Sequence, residues 1–116
     1  MEYKLKTKPI SIHDNYRMGK NRYFISDLGK RYKQNIIDEI LKYQNKLLFN
    51  CPVKLTIYFG FSDYRPHDLD NYCKPLLDAL KGIIYDDDKL IFELHCFKYL
   101  GQNENFIKII IMPLNE

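Results

Sequence analysis

The chain has 116 residues, 46% of them hydrophobic and 28% charged, and a formal net charge of +3. That length suits one domain with one core, and no apolar run approaches the ~20 residues needed to span a bilayer. Three widely spaced cysteines, Cys51, Cys73 and Cys96, without a Cys-x-x-Cys pair, argue against a disulfide framework or a zinc site and for reduced thiols in an intracellular protein. The opening MEYKLKTKPI alternates charged and apolar residues and does not read as a signal peptide.

Alternation over residues 2–10 predicts a first strand, with Tyr3, Leu5 and Thr7 opposite Lys4, Lys6 and Lys8. Residues 11–25 lack a period and read as a loop. A helix is expected from Ser26 or Asp27 to about Lys46, with an apolar stripe of Leu28, Tyr32, Ile36, Ile40, Tyr43 and Leu47. After Pro52 comes the clearest strand: Val53, Leu55, Ile57, Phe59 and Phe61 face one way, and Lys54, Thr56, Tyr58 and Gly60 the other. A second helix is expected over about Asn71–Lys81, turning Leu69, Cys73, Leu76, Leu77 and Leu80 inward and stopping at Gly82. Pro75 lacks an N–H and bars a much earlier start. Leu90–Tyr99 reads as a strand with Leu90, Phe92, Leu94 and Cys96 on one face. Phe106–Met112 reads as a last strand whose isoleucines suggest burial on both faces. The order β-α-β-α-β-β predicts an α+β (mixed α/β) domain over residues 1–116, a small mixed sheet packed with two helices and ending in a hairpin.

Charge is distributed unevenly. Residues 1–60 carry 12 Lys/Arg against 5 Asp/Glu, and residues 61–116 carry 6 against 10. The basic half suggests a polyanionic partner. Arg17, Lys20, Arg22, Lys30, Arg31 and Lys33 are interleaved with Tyr16, Tyr23, Phe24 and Tyr32, a mixture suited to phosphates and bases, although a solvated surface has the same composition.

The acidic half is concentrated in DLDNYCKPLLDALKGIIYDDDK, residues 68–89, with six aspartates. In an extended lead-in to the second helix Asp68 and Asp70 would share a face around an inward Leu69. Convergent carboxylates are costly without a cation, and Mg²⁺ or Mn²⁺, taking hard oxygen ligands, relieves that cost. Helix capping by Asp68 or Asp70 and a solvated turn at Asp86–Asp88 are the plainer alternatives. An EF-hand fails because Cys73 and Ala79 stand at its sixth and twelfth positions, and neither a phosphate-binding glycine loop nor a nucleophile elbow is present. Lys74, four residues after Asp70, fits an ion pair on one helix face or a contact to phosphate.

HDLDNYCKPLLDAL…YDDDKL also resembles the signature of the RusA family of Holliday junction resolvases, D-x-D-N-x-x-K-x-x-x-D-A-L followed by D-D; the match is close over residues 68–91. The resemblance implies a homodimeric, Mg²⁺-dependent endonuclease, with Mn²⁺ able to substitute, in a bacterial or phage-encoded cytoplasmic setting. Its substrate would be four-way junction DNA in recombination and repair, cut by paired symmetric nicks. Carried over by position, the metal-binding carboxylates are Asp68, Asp70 and Asp88, with Asp87 next to it as the other candidate where three aspartates replace the pair. Lys74 takes the place of the essential lysine, and Asn71 could orient Asp70 or cap the helix. Expected DNA contacts are Arg17, Lys20, Arg22, Arg31, Lys33, Arg65 and His67; the last two stand where the family has a denser basic run. Cutting of flaps or forks is the neighbouring alternative, and a non-catalytic DNA-binding module the more distant one.

Overall fold

A computed structural model describes residues 1–43 and 48–114 of the chain. Its centre is strand β4, Val53–Gly60, where alternation is strict: Val53, Leu55, Ile57 and Phe59 are fully buried and the residues between them half-buried. Burying each such side chain contributes roughly 1.5–3 kcal/mol, enough to fix which face of the strand turns inward. β5 (Ile91–Tyr99) pairs with β4 in parallel, and β6 (Phe106–Pro113) pairs with its other side antiparallel. β1 (Glu2–Leu5) closes the far side of β6, giving the order β1-β6-β4-β5. Helices α2 (Asp27–Leu41) and α3 (Asp70–Leu80) cover one face, adding Tyr32, Ile36, Ile40, Leu76, Ala79 and Leu80 to the core. The α+β class is therefore as expected.

Several local expectations change. β1 ends at Leu5 because the next two backbone N–H groups, of Lys6 and Thr7, donate to the Glu39 carboxylate of α2, at 2.7 and 3.0 Å, rather than to a neighbouring strand. Residues 11–25 are ordered. Ser11 caps a one-turn helix, α1 (Ile12–Asn15), and β2 (Tyr16–Met18) and β3 (Tyr23–Ile25) form a separate two-stranded ribbon. The Ser26 hydroxyl locks this insert to α2, accepting from the Gly29 N–H at 2.9 Å and donating to the Asp14 carbonyl at 2.6 Å. α2 gives way at Lys42; the expected end at Lys46, and Leu47, lie outside the described residues. Leu28 is exposed rather than part of the buried stripe.

The final pair of strands is not a hairpin. β4 lies between β5 and β6, and the link between them crosses the end of β4, where Gly101 N–H donates to Asp63 O (2.8 Å) and Gln102 N–H to Phe61 O (2.9 Å). Gly101 needs its positive φ of 65° for that turn. The isoleucines of β6 are fully buried on one face only, at Ile107, Ile109 and Ile111; Ile110 is half-buried. β5 differs most from expectation: Phe92 and Leu94, assigned to an inward face, are 58% and 41% exposed.

Candidate active site

Because β4 and β5 are parallel, α3 must carry the chain from the end of β4 back to the start of β5. The two ends of the acidic segment therefore fall at opposite ends of α3. Asp68 and Asp70 stand at its beginning. Here Lys98, near the end of β5, donates through Nζ to the carbonyl of His67 at 2.5 Å. Asp86–Asp88 stand by the helix's end, where the buried Tyr85 donates to the Leu77 carbonyl at 2.5 Å and Lys81 pairs with Asp87 at 3.7 Å. At 1.5 Å per residue, Asp70 and Asp78 alone are separated by about 12 Å along the axis.

The lead-in to α3 is not extended. Leu69 occupies the cap position with φ −54° and ψ −44°, and Asn71 N–H already bonds the Asp68 carbonyl at 3.0 Å. Asp68 and Asp70 thus belong to a helical turn, not to one face of a strand. Asp68 acts electrostatically on Tyr72, one turn onward, and Asp70 on Cys73. Neither aspartate caps the helix with its side chain, which removes the plain capping explanation for them. Asn71 is half-buried in the first turn. Pro75 is accommodated inside α3, buried in the core layer.

Asp70, Lys74 and Asp78 are spaced by four and mark one stripe of α3. Lys74 reaches Asp78 at 3.4 Å, and Tyr16 of the ribbon donates its hydroxyl to the same carboxylate. Lys74, Tyr16, His13 and Tyr23 line a cleft of about 450 Å³ between ribbon and helix. Burial, then the bond to Asp78, pushes the Tyr16 phenol well above its ordinary range; Asp88 contributes to the same rise. Asp78 and Tyr16 are the members that sequence reasoning did not assign to the site. Asp78 carried a signal in its spacing from Lys74, whereas the contact of Tyr16, 62 residues distant, carried none.

The three consecutive aspartates are not equivalent. Asp86 is exposed. Asp87 caps a 3-10 turn, Asp88–Leu90, accepting from Lys89 N–H at 3.1 Å; that bond, aided by Lys81 and Lys89, holds its carboxyl below the usual range. Asp88 has its Oδ1 buried without a hydrogen-bond partner. It sits beside Tyr85, whose proton goes to Leu77 instead, and burial, then Asp88, pushes that phenol up. Among the described residues no three His, Cys, Asp or Glu side chains gather as a metal-ligand set, so Asp68, Asp70 and Asp88 do not converge within one chain.

The expected DNA contacts fall into two places. Arg17, Lys20 and Arg22 are exposed on the ribbon with Met18, Tyr23 and Phe24, and the Arg17 guanidinium donates to the His13 carbonyl at 3.1 Å. Arg31 and Arg65 line a groove of about 530 Å³ with Lys8, while Lys33 is exposed on α2. His67 does not offer a free nitrogen to phosphate. Nε2 meets Asp63 and Nδ1 the Tyr72 hydroxyl, each at 2.8 Å, and the ring stacks on Phe61 at 3.9 Å. The bond to His67 holds the Asp63 carboxyl below its ordinary range.

The sequence model of the family described as Endodeoxyribonuclease RusA matches residues 8–112, nearly the whole of this architecture. The chain belongs to the RusA family. Its relatives include a protein named crossover junction endodeoxyribonuclease rusA in Enterobacteria phage HK97, 29% identical over 70% of this chain and 69% of its own length. Proteins of the same name occur in Shigella sonnei (33% identical over 72% and 71%) and in Escherichia coli O139:H28 (28% over 93% and 91%). The RusA family assignment makes the α3 stripe and the aspartates at its two ends the natural place for an endonuclease's chemistry.

Proposed function

We infer that the chain is a divalent-metal-dependent endodeoxyribonuclease that resolves four-way DNA junctions by paired nicks. The observation that carries this is Asp88 Oδ1: a buried, unpartnered carboxylate oxygen, in a segment that begins with the exposed carboxylates Asp68 and Asp70, in a chain of the RusA family. Unpartnered carboxylate oxygens suit Mg²⁺ or Mn²⁺, hard cations that prefer oxygen and retain places for water and phosphate. Bound by Asp68, Asp70 and Asp88, such a cation would polarise a phosphate oxygen and ease deprotonation of the attacking water. Lys74, on the exposed stripe of α3, faces the same cleft and contributes positive charge to the phosphate as negative charge develops on it. Tyr16 and Asp78 position that ammonium. Arg17, Lys20 and Arg22 on the ribbon, and Arg31 and Arg65 in the groove, hold the backbones of the DNA arms.

Since the aspartates lie at opposite ends of α3, the reading requires a homodimer in which Asp68 and Asp70 of one copy meet Asp88 of the partner subunit. Two symmetric sites would then face a junction that itself has two-fold symmetry.

The test is cleavage of labelled four-way, flap, fork and linear duplexes with Mg²⁺, Mn²⁺ or chelator. Paired symmetric nicks in the four-way junction, abolished by chelator, are expected. Asp70→Asn should lose cutting and keep junction binding. Binding unaffected by chelator with no cutting of any substrate would reduce the protein to a DNA-binding module, and preference for flaps or forks would reassign its substrate.

A further inference from the structure

The two edges of the main sheet are unlike. β1 is four residues long, with Glu2 and Lys4 exposed, and Lys6, Lys8 and Pro9 follow it. Short length, charge and proline are the usual guards of an edge against pairing with another chain. β5 has few of them. It is nine residues long, pairs only with β4, contains no proline, and exposes Phe92, Leu94, Phe97 and Tyr99 by 58, 41, 44 and 45%. At about 3.3 Å per residue this is a strip near 30 Å long with one side of its backbone hydrogen bonds unmade. Apolar side chains project on both faces. Phe97 and Tyr99 stack with Tyr58 on the open face, and Phe92 and Leu94 lie on the helix side beyond the cover of α3.

We propose that β5 is the docking surface for a second copy of this chain, joined antiparallel across a two-fold axis into a continuous eight-stranded sheet. This rests on the nuclease reading above and names how its two copies meet. The choice of a second copy follows from where the aspartates lie. Asp88 precedes the start of β5 by three residues, and the end of β5 is tied to the beginning of α3 by the Lys98–His67 bond, one residue before Asp68. Antiparallel pairing of identical strands sets the start of one β5 beside the end of the other. It therefore carries Asp88 of the partner subunit towards Asp68 and Asp70, and does so twice by symmetry. A parallel or face-to-face arrangement of two copies has no such consequence. The ladder also uses the unmade backbone bonds, and the exposed apolar residues on both faces of the strip are covered together.

The test places like charges at the seam. Leu94→Lys and Leu94→Glu are made separately and mixed, with light scattering, circular dichroism and thermal melting on each sample. The native chain is expected at twice its 14.0 kDa monomer mass, each variant as a folded 14.0 kDa monomer, and the mixture as a restored dimer. Phe92→Lys and Phe92→Glu repeat the experiment if the Leu94 variants do not fold. A native monomer, or charge variants that remain dimeric, overturns the proposal. Junction cleavage by the native protein is scored separately. Cutting with an undisturbed dimer in both Leu94 variants refutes the β5 seam and leaves the nuclease reading standing. A charge-rescued dimer that cuts nothing upholds the seam and refutes the nuclease reading.

Discussion

Asp88→Asn tests the metal assignment most directly, because it keeps the side chain's size and removes the charge. The orphaned Oδ1 of Asp88 is buried, so a cation that binds it binds the folded state and not the unfolded chain. Free Mg²⁺ at a hundred times its dissociation constant then adds about 2.7 kcal/mol of stability. An unfolding entropy of about 2.1 cal/mol/K per residue over 116 residues gives about 0.24 kcal/mol/K, which converts that gain into a melting shift of about 11 °C. Differential scanning fluorimetry across a Mg²⁺ titration reads it, with no need for active enzyme. In Asp88→Asn the shift should shrink to about 2 °C or less on the same arithmetic. Asp86→Asn should retain the full shift, because Asp86 is exposed and its N–H alone is engaged, with the Phe49 carbonyl at 2.9 Å. Asp87→Asn should lower the starting melting point by loss of the cap and the Lys81 pair, and keep the metal shift. The reasoning is refuted if Asp88→Asn gains as much from Mg²⁺ as the native chain, or if Asp86→Asn abolishes the gain.

Lys74→Ala should slow junction cutting by about 10²–10³-fold, the usual loss when a positioned donor to developing charge is removed. Its melting point should hardly move, since the exposed pair with Asp78 is worth at most about 1 kcal/mol; an unchanged rate in a cleavage time course would exclude the role. Gly29→Ala would put a Cβ 2.5 Å from the Asn15 carbonyl oxygen and 2.8 Å from Ile25 Cγ1, so overpacking of about 1–3 kcal/mol is expected in chemical denaturation; native stability in that variant would show that the ribbon is not locked to α2. Tyr32 and Tyr85 are buried, and burial raises both phenols above their model value of 10.0. The unfolded chain therefore releases these protons first. Their contribution is whole below pH 10 and declines above it, by about 1.4 kcal/mol per pH unit for each phenol; urea midpoints that stay level as pH rises past 10 would contradict it.

What the sequence revealed depended on whether a residue's partner was local. Strict alternation marked β4, because a strand covered on one face needs nothing more than period two to be recognised. The ribbon at Tyr16–Ile25 went unseen: its strands are three residues long, mostly exposed, and stabilised by Ser26 and Gly29 of the following helix. β5 was recognised as a strand and misjudged in its surroundings. An apolar residue destined for an interface between copies is indistinguishable in sequence from one destined for the core, so Phe92 and Leu94 were assigned inward. The hairpin expected for the last two strands failed for a different reason. A short link favours adjacency, but here it is pinned across the end of β4 by Asp63 and Phe61, contacts that no spacing within residues 91–113 records. At the site, helical spacing connected Lys74 with Asp78, while the separation of Asp68 and Asp70 from Asp88 followed only from the parallel pairing of β4 with β5.

That separation also bears on why a basic chain keeps so many aspartates together. The N-terminal end of a helix carries partial positive charge and the C-terminal end partial negative charge. Asp68 and Asp70 are therefore favourably placed in the first turn of α3, and no further device is needed to keep them ionised. Asp88 is on the unfavourable side. It lies by the carbonyl end of the same helix, shares its influence on Tyr16 with Asp78, and adjoins a tyrosine hydroxyl already committed to Leu77. The nearby Lys81 pairs with Asp87. The local fold thus satisfies the first two carboxylates and leaves the third surrounded by negative charge and acceptors. The compensation that Asp88 lacks within its own chain is what a cation, shared with the opposite end of a partner's α3, would supply.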